Sequence, residues 1–142
     1  MPLNTRIAST KSSTTKSLWT GRVVSWLCAL YVAFAAIVKL LQPPMVLEGF
    51  VHYGYPARLV IPIGVIELTC AIVYLIPRTS VLGAILLTGL IGGATATNLR
   101  IGDQGFVAPV ILGILVWGGL FLRDQGLRDL IPIRRSDDQL AR

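Results

Sequence analysis

Four long apolar runs separated by short polar connections organise the chain. The first, Val23 to Leu41, is broken only by Ser25 and by Lys39 near its end. At ~1.5 Å per residue its length approaches the ~30 Å of a bilayer's hydrocarbon core. Pro43-Pro44 stops it, because proline lacks the N–H that would continue the helix. Leu59 to Ile76 is the second run, with Pro62 in its first turn, where no partner for that N–H is needed. Pro77-Arg78-Thr79 makes a tight turn into the third run, Ser80 to Leu99, and Arg100 to Gln104 leads to the fourth, Phe106 to Leu122. The pattern predicts an all-α integral membrane protein, a bundle of four transmembrane helices over about 23–41, 59–76, 80–99 and 106–122.

Outside these runs, residues 1–18 are Ser/Thr-rich and basic and are expected to form a disordered tail, with a transit peptide as the alternative. Residues 19–125 form the transmembrane domain, and residues 126–142 a charged cytoplasmic tail. The connection Gln42 to Arg58 is too polar to cross the bilayer. A short interfacial helix is expected there, around Val46 to Phe50, with Tyr53 and Tyr55 at the level of the lipid headgroups.

Composition agrees with the pattern. Hydrophobic residues make up 54% of the chain and charged residues 14%, against about 45–50% and about 25% in soluble domains. Mean hydropathy is +0.69. The net charge of +6 does not point to nucleic acid, because the basic residues flank apolar runs and form no stripe interleaved with aromatics. Their placement orients the bundle instead. Arg6, Lys11, Lys16, Arg22, Arg78, Arg123, Arg128, Arg134, Arg135 and Arg142 fall on one side, and only Arg58 and Arg100 on the other. Positive residues collect on the cytoplasmic side, so both termini are expected there, in a multi-pass protein of the inner (cytoplasmic) membrane.

Inside lipid, small residues and polar contacts drive helices together. Gly89, Gly93 and Thr97 recur every fourth residue in the third run and are expected to serve helix packing, with a substrate path as the alternative. Glu67 is the most informative residue, ~12 Å below the boundary of its run. A carboxylate at that depth is protonated or paired with a cation. Lys39 either snorkels to the interface or reaches inward to Glu67. With Asn98 and Arg100 at the same end of the third run, these residues form a candidate ligand-binding or polar cluster, and His52 lies in the nearby connection.

Cys28 and Cys70 are at similar depth, but they lack CxxC spacing and read best as small buried hydrophobes. Were they level, the Lys39 and Glu67 backbones would lie ~12 Å apart along the axis, so a disulfide and a direct ion pair are expected to exclude one another. No catalytic set, metal-ligand spacing or phosphate loop is present, and no cofactor is evident from motifs.

Several stretches together resemble the DoxX-like family of small bacterial membrane proteins. They are Ile37-Val38-Lys39-Leu40, His52-Tyr53-Gly54-Tyr55-Pro56 and Gly64-Val65-Ile66-Glu67-Leu68, then Ile76-Pro77-Arg78-Thr79, Leu82-Gly83-Ala84 and Gly92-Gly93-Ala94-Thr95-Ala96-Thr97-Asn98-Leu99-Arg100. The last runs from Leu115 through Trp117-Gly118-Gly119 to Asp124. The resemblance spans about Trp19 to Leu130 and implies a four-helix membrane bundle, with Lys39 and Glu67 at family positions. It also implies a link to quinone chemistry, since the family name comes from subunits of quinone-linked sulfur oxidation. Where many relatives carry histidine, this chain has Asn98, which cannot shuttle protons near neutral pH.

Three functions follow as expectations. The first is a non-catalytic subunit or partner in a membrane assembly, or a homo-oligomer, embedded in the lipid bilayer. The second is a quinone-linked redox component with its ligand site around Glu67, which would make the chain part of a quinone-dependent oxidoreductase. The third is a small-solute carrier.

Overall fold

A computed structural model describes residues 3–124 with 126 and 127, and residues 3–17 as backbone alone. The charged tail expected over residues 126–142 lies almost wholly outside the described residues. The chain forms α1 (Leu3–Leu41), α2 (Pro44–His52), α3 (Val60–Leu75), α4 (Ser80–Arg100) and α5 (Val107–Arg123), with short 3-10 turns at Ala57–Leu59 and Gln104–Phe106. No strand occurs among the described residues. Four segments are long and apolar enough to cross a membrane: Leu18–Leu41, Ala57–Leu75, Ser80–Arg100 and Gln104–Arg123. These coincide with the four runs of the sequence to within a few residues. The first helix differs in its start: α1 begins at Leu3, so the backbone that was expected as a disordered tail is continuous with the membrane helix.

The breaks have local causes. Gln42 takes a left-handed conformation (φ 50°) after α1, and Pro43 continues extended before Pro44 opens α2. Gly54 (φ 78°) turns the chain after α2, where the Tyr55 amide donates to the Phe50 carbonyl at 2.8 Å. At the opposite end, Thr79 Oγ1 donates to the Val73 carbonyl at 2.9 Å and Ser80 Oγ to the Pro77 carbonyl at 3.1 Å, which fixes the α3–α4 turn.

The four long helices stand in a ring in which α1 and α4 are diagonal, and each packs against both α3 and α5. Their outer surface is apolar: Trp26, Leu30, Phe34, Ile66 and Ile114 are all exposed. A surface of this kind is stable against lipid and not against water. The tight core sits in the half of the bundle nearest the tails. Cys28, Ala29, Cys70, Ala71, Tyr74, Ala84, Leu87, Val116 and Leu120 pack there.

Glycines permit that packing, but not the glycines expected. A methyl on Gly83 would lie 2.3 Å from the Tyr74 Cα, one on Gly21 would lie 2.6 Å from the Arg123 amide nitrogen, and one on Gly119 would lie 2.9 Å from Ser25 Oγ. Gly89 and Gly93, expected to pack helices, have nothing within 4 Å of such a methyl. Four-residue spacing places small residues on one face of a helix, and here that face of α4 borders open space within the chain. Thr97, the third of that set, bonds to Tyr55 across the loop instead.

Candidate functional site

In the half of the bundle nearest α2 the helices line a half-open cavity of about 530 Å³. Ligand sites are typically about 300–1,000 Å³ and mostly apolar, with a few placed polar groups. Val32, Leu87, Ile91 and Leu112 line it towards the packed core. Ala35, Gly89, Gly93, Ala94 and Ala108 keep its walls thin, and Phe50, Tyr53 and Tyr55 border it from α2 and the loop that follows.

Among the described residues, Lys39 and Glu67 supply the only charged side chains in the lining. Lys39 Nζ donates to Glu67 Oε2 at 2.6 Å. The two side chains retain only 22% and 13% of their exposure. Gly64 brings α1 and α3 together at this level, since a methyl there would be 3.2 Å from both the Ala36 carbonyl oxygen and the Lys39 Cβ. Lys39 closes the remaining gap by turning back along α1, where Nζ also lies 3.5 Å from the Ala35 carbonyl oxygen, four residues earlier. Of its two expected courses, it therefore takes the inward one. Both cysteines are free and buried in the common core, so the chain adopts the ion-pair alternative.

The remaining polar residues act mainly as architecture. Thr97 Oγ1 donates to the Gly93 carbonyl at 2.8 Å, which leaves Tyr55 Oη as the donor in its 2.9 Å bond to Thr97 Oγ1. Asn98 lines the cavity, and its Nδ2 donates to the Ala94 carbonyl at 2.8 Å. Arg100 is not brought to Lys39 and Glu67. It donates from Nη2 to the Tyr53 carbonyl, and its guanidinium stands 6.0 Å from the centre of the Tyr55 ring. It therefore ties the loop to the end of α4.

Tyr53 Oη reaches Asp103 Oδ2 at 3.4 Å. Burial, then the Asp103 charge and this bond, push the Tyr53 phenol above its ordinary value, so it is neutral near pH 7. His52 stands edge-on to Tyr53 with ring centres 5.6 Å apart, outside the cavity lining.

The other end of the bundle is closed. Tyr74 is fully buried, with Oη 2.9 Å from the Val116 carbonyl oxygen and 3.0 Å from Ser25 Oγ. Arg123 donates from Nη2 to the Tyr74 carbonyl at 2.8 Å and lies over its ring at 4.9 Å. Helical spacing turns Ser25 and Tyr74 into the bundle but does not join them to each other or to Arg123, and sequence reasoning misses the tyrosine border of the cavity. A serine, a tyrosine and an arginine in three different helices give no spacing signal, whereas the Tyr53-Gly54-Tyr55 turn offered one.

Together these features define a multi-pass membrane protein whose four-helix bundle is sealed at the tail end and hollow, with the partly buried Lys39–Glu67 ion pair, at the other. The model of the DoxX-like family matches residues 23–119, and the chain belongs to that family. Comparisons with curated proteins and with solved structures returned no match.

Proposed function

We propose that the protein is a non-catalytic membrane subunit that holds a small lipophilic molecule in the cavity and presents it to a partner in the membrane. The observation that carries this reading is the cavity of about 530 Å³ that contains the Lys39–Glu67 pair. Withdrawing two charges from water even in part is costly, and an apolar pair of similar volume would often stabilise the bundle as well or better. Glycines at 89 and 93 likewise hold open a volume that larger side chains would fill. Both features suit occupancy by a ligand whose polar head meets the ion pair.

A quinone is the second reading. Polar groups stand on α1 and α3, at Lys39 and Glu67, and on α4, at Thr97 and Asn98, and a flat head with oxygens on two edges would meet both sets. The positive-inside distribution of Lys and Arg supports placing both termini in the cytoplasm of an inner-membrane protein, with the cavity nearer the outer face.

The reading is tested by extracting the lipids that co-purify with wild type and with Glu67→Gln in mild detergent, followed by mass spectrometry. A lipophilic molecule retained by wild type and depleted in the variant supports it, and an isoprenoid quinone as that molecule supports the second reading. A co-purifying protein partner without a small molecule would overturn the ligand part. Solute flux in proteoliposomes containing this protein alone would replace the whole reading with that of a carrier.

A further inference from the structure

We infer that the Lys39–Glu67 pair makes the cavity selective for uncharged amphiphiles: an apolar body with a neutral head that both donates and accepts hydrogen bonds, as in a primary amide or an alcohol. The inference rests on the ligand reading above.

Lysine supplies one positive and glutamate one negative charge, and the two neutralise each other at 2.6 Å. No other charged side chain among the described residues lines the cavity. Asp103 and Arg100 do not line it; both bind Tyr53, through Oη and the backbone carbonyl respectively, and their opposite charges add no net charge beside the cavity. An ionised head would leave water without gaining a net counter-charge, and such a transfer is strongly unfavourable.

A neutral head loses much less. The ammonium group keeps one N–H beyond those directed at Glu67 and the Ala35 carbonyl, and the carboxylate keeps free lone pairs. A carbonyl oxygen on the ligand can accept from Lys39 Nζ while an N–H or O–H beside it donates to Glu67. Apolar side chains dominate the rest of the lining, among them Val32, Ile63, Leu90 and Leu112, and these suit an alkyl or ring body.

Removing one partner then inverts the selectivity. Glu67→Gln leaves an unpaired ammonium that favours anions, and Lys39→Met leaves an unpaired carboxylate that favours cations. Replacing both with glutamine restores a neutral cavity.

The test uses the full chain in lipid nanodiscs at pH 9, with three alkyl probes of one length carrying the same mid-chain diazirine and ending in a carboxamide, a carboxylate or a primary amine. After photolysis, mass spectrometry quantifies label on cavity segments around Ala35 and Gly93 relative to the lipid-facing Trp26 and Ile114. In wild type the amide is expected to label the cavity roughly tenfold more than either ion. The carboxylate should gain in Glu67→Gln and the amine in Lys39→Met, and the double glutamine variant should return to the wild-type order.

Carboxylate labelling equal to amide labelling in wild type would overturn the selectivity while leaving the ligand site standing. Strong labelling with an unchanged probe order in every variant would do the same. Failure of all three probes to label the cavity would overturn the ligand reading itself, and the selectivity with it. The wild-type comparison decides even if a single variant fails to fold.

Discussion

Lys39 bonds to Glu67 by running backwards along its own helix, and Gly64 makes this possible by letting α1 and α3 approach within van der Waals contact. The pair is thus a product of helix spacing as much as of charge. A bulkier residue at 64 would separate the helices and stretch the ion pair.

That relationship predicts thermodynamic coupling. Lys39→Met and Glu67→Gln should each destabilise the detergent-solubilised protein, and the double variant should cost less than their sum. For a partly exposed pair the coupling should be about 1–3 kcal/mol, between the values for surface and buried pairs. Thermal unfolding of the four proteins in a double-mutant cycle measures it, and additive losses would contradict direct pairing.

Glycines in one helix should differ sharply in tolerance. Gly83→Ala places a methyl against the Tyr74 backbone, where neither side can yield, and should cost about 3 kcal/mol or more. Gly89→Ala and Gly93→Ala meet nothing and should be neutral or slightly stabilising through helix propensity. Fluorescence-detected gel filtration after heating would rank them. Equal sensitivity at 83 and 93 would contradict the hollow half of the bundle.

Much of the architecture was legible in the sequence because lipid permits few solutions. A run of about twenty apolar residues has little alternative to a spanning helix, and Pro43-Pro44 and Pro77 mark ends in any environment. The short helix α2 followed from its place between a proline stop and two tyrosines. Interhelical register was not legible, so Lys39 retained two courses. The Gly89, Gly93 and Thr97 spacing identified a common face but not what that face meets, while Gly83, in no visible repeat, makes the closest helix contact. Arg100 was grouped with Lys39 and Glu67 by its position at a helix end, but side-chain direction takes it to the loop.

The closed end should depend on one hydroxyl. Tyr74→Phe removes the bonds to Ser25 and to the Val116 carbonyl and leaves buried polar atoms unpaired, at a cost of about 1–3 kcal/mol. Ser25→Ala removes one bond and should cost less. Thermal shift measurements on both variants check the order, and a larger loss for Ser25→Ala would contradict it.

The two cysteines should be silent in the folded protein. Both are free and buried, so a bulky maleimide should label neither Cys28 nor Cys70 until the chain is denatured. Met45→Cys, exposed on α2, should react with a membrane-impermeant maleimide added to intact cells, as the proposed orientation requires. Labelling of Met45→Cys only after permeabilisation would invert that orientation.

The most direct test of the central claim is to fill the cavity without touching its charges. Gly93→Leu projects an apolar side chain into space bordered by Ala94 and Thr97 and leaves Lys39 and Glu67 in place. Native mass spectrometry of wild type and Gly93→Leu, gently extracted from the same host, should show a small lipophilic molecule bound to the first and absent from the second, with both folded. The same ligand bound equally to both proteins would contradict the cavity as the site of binding.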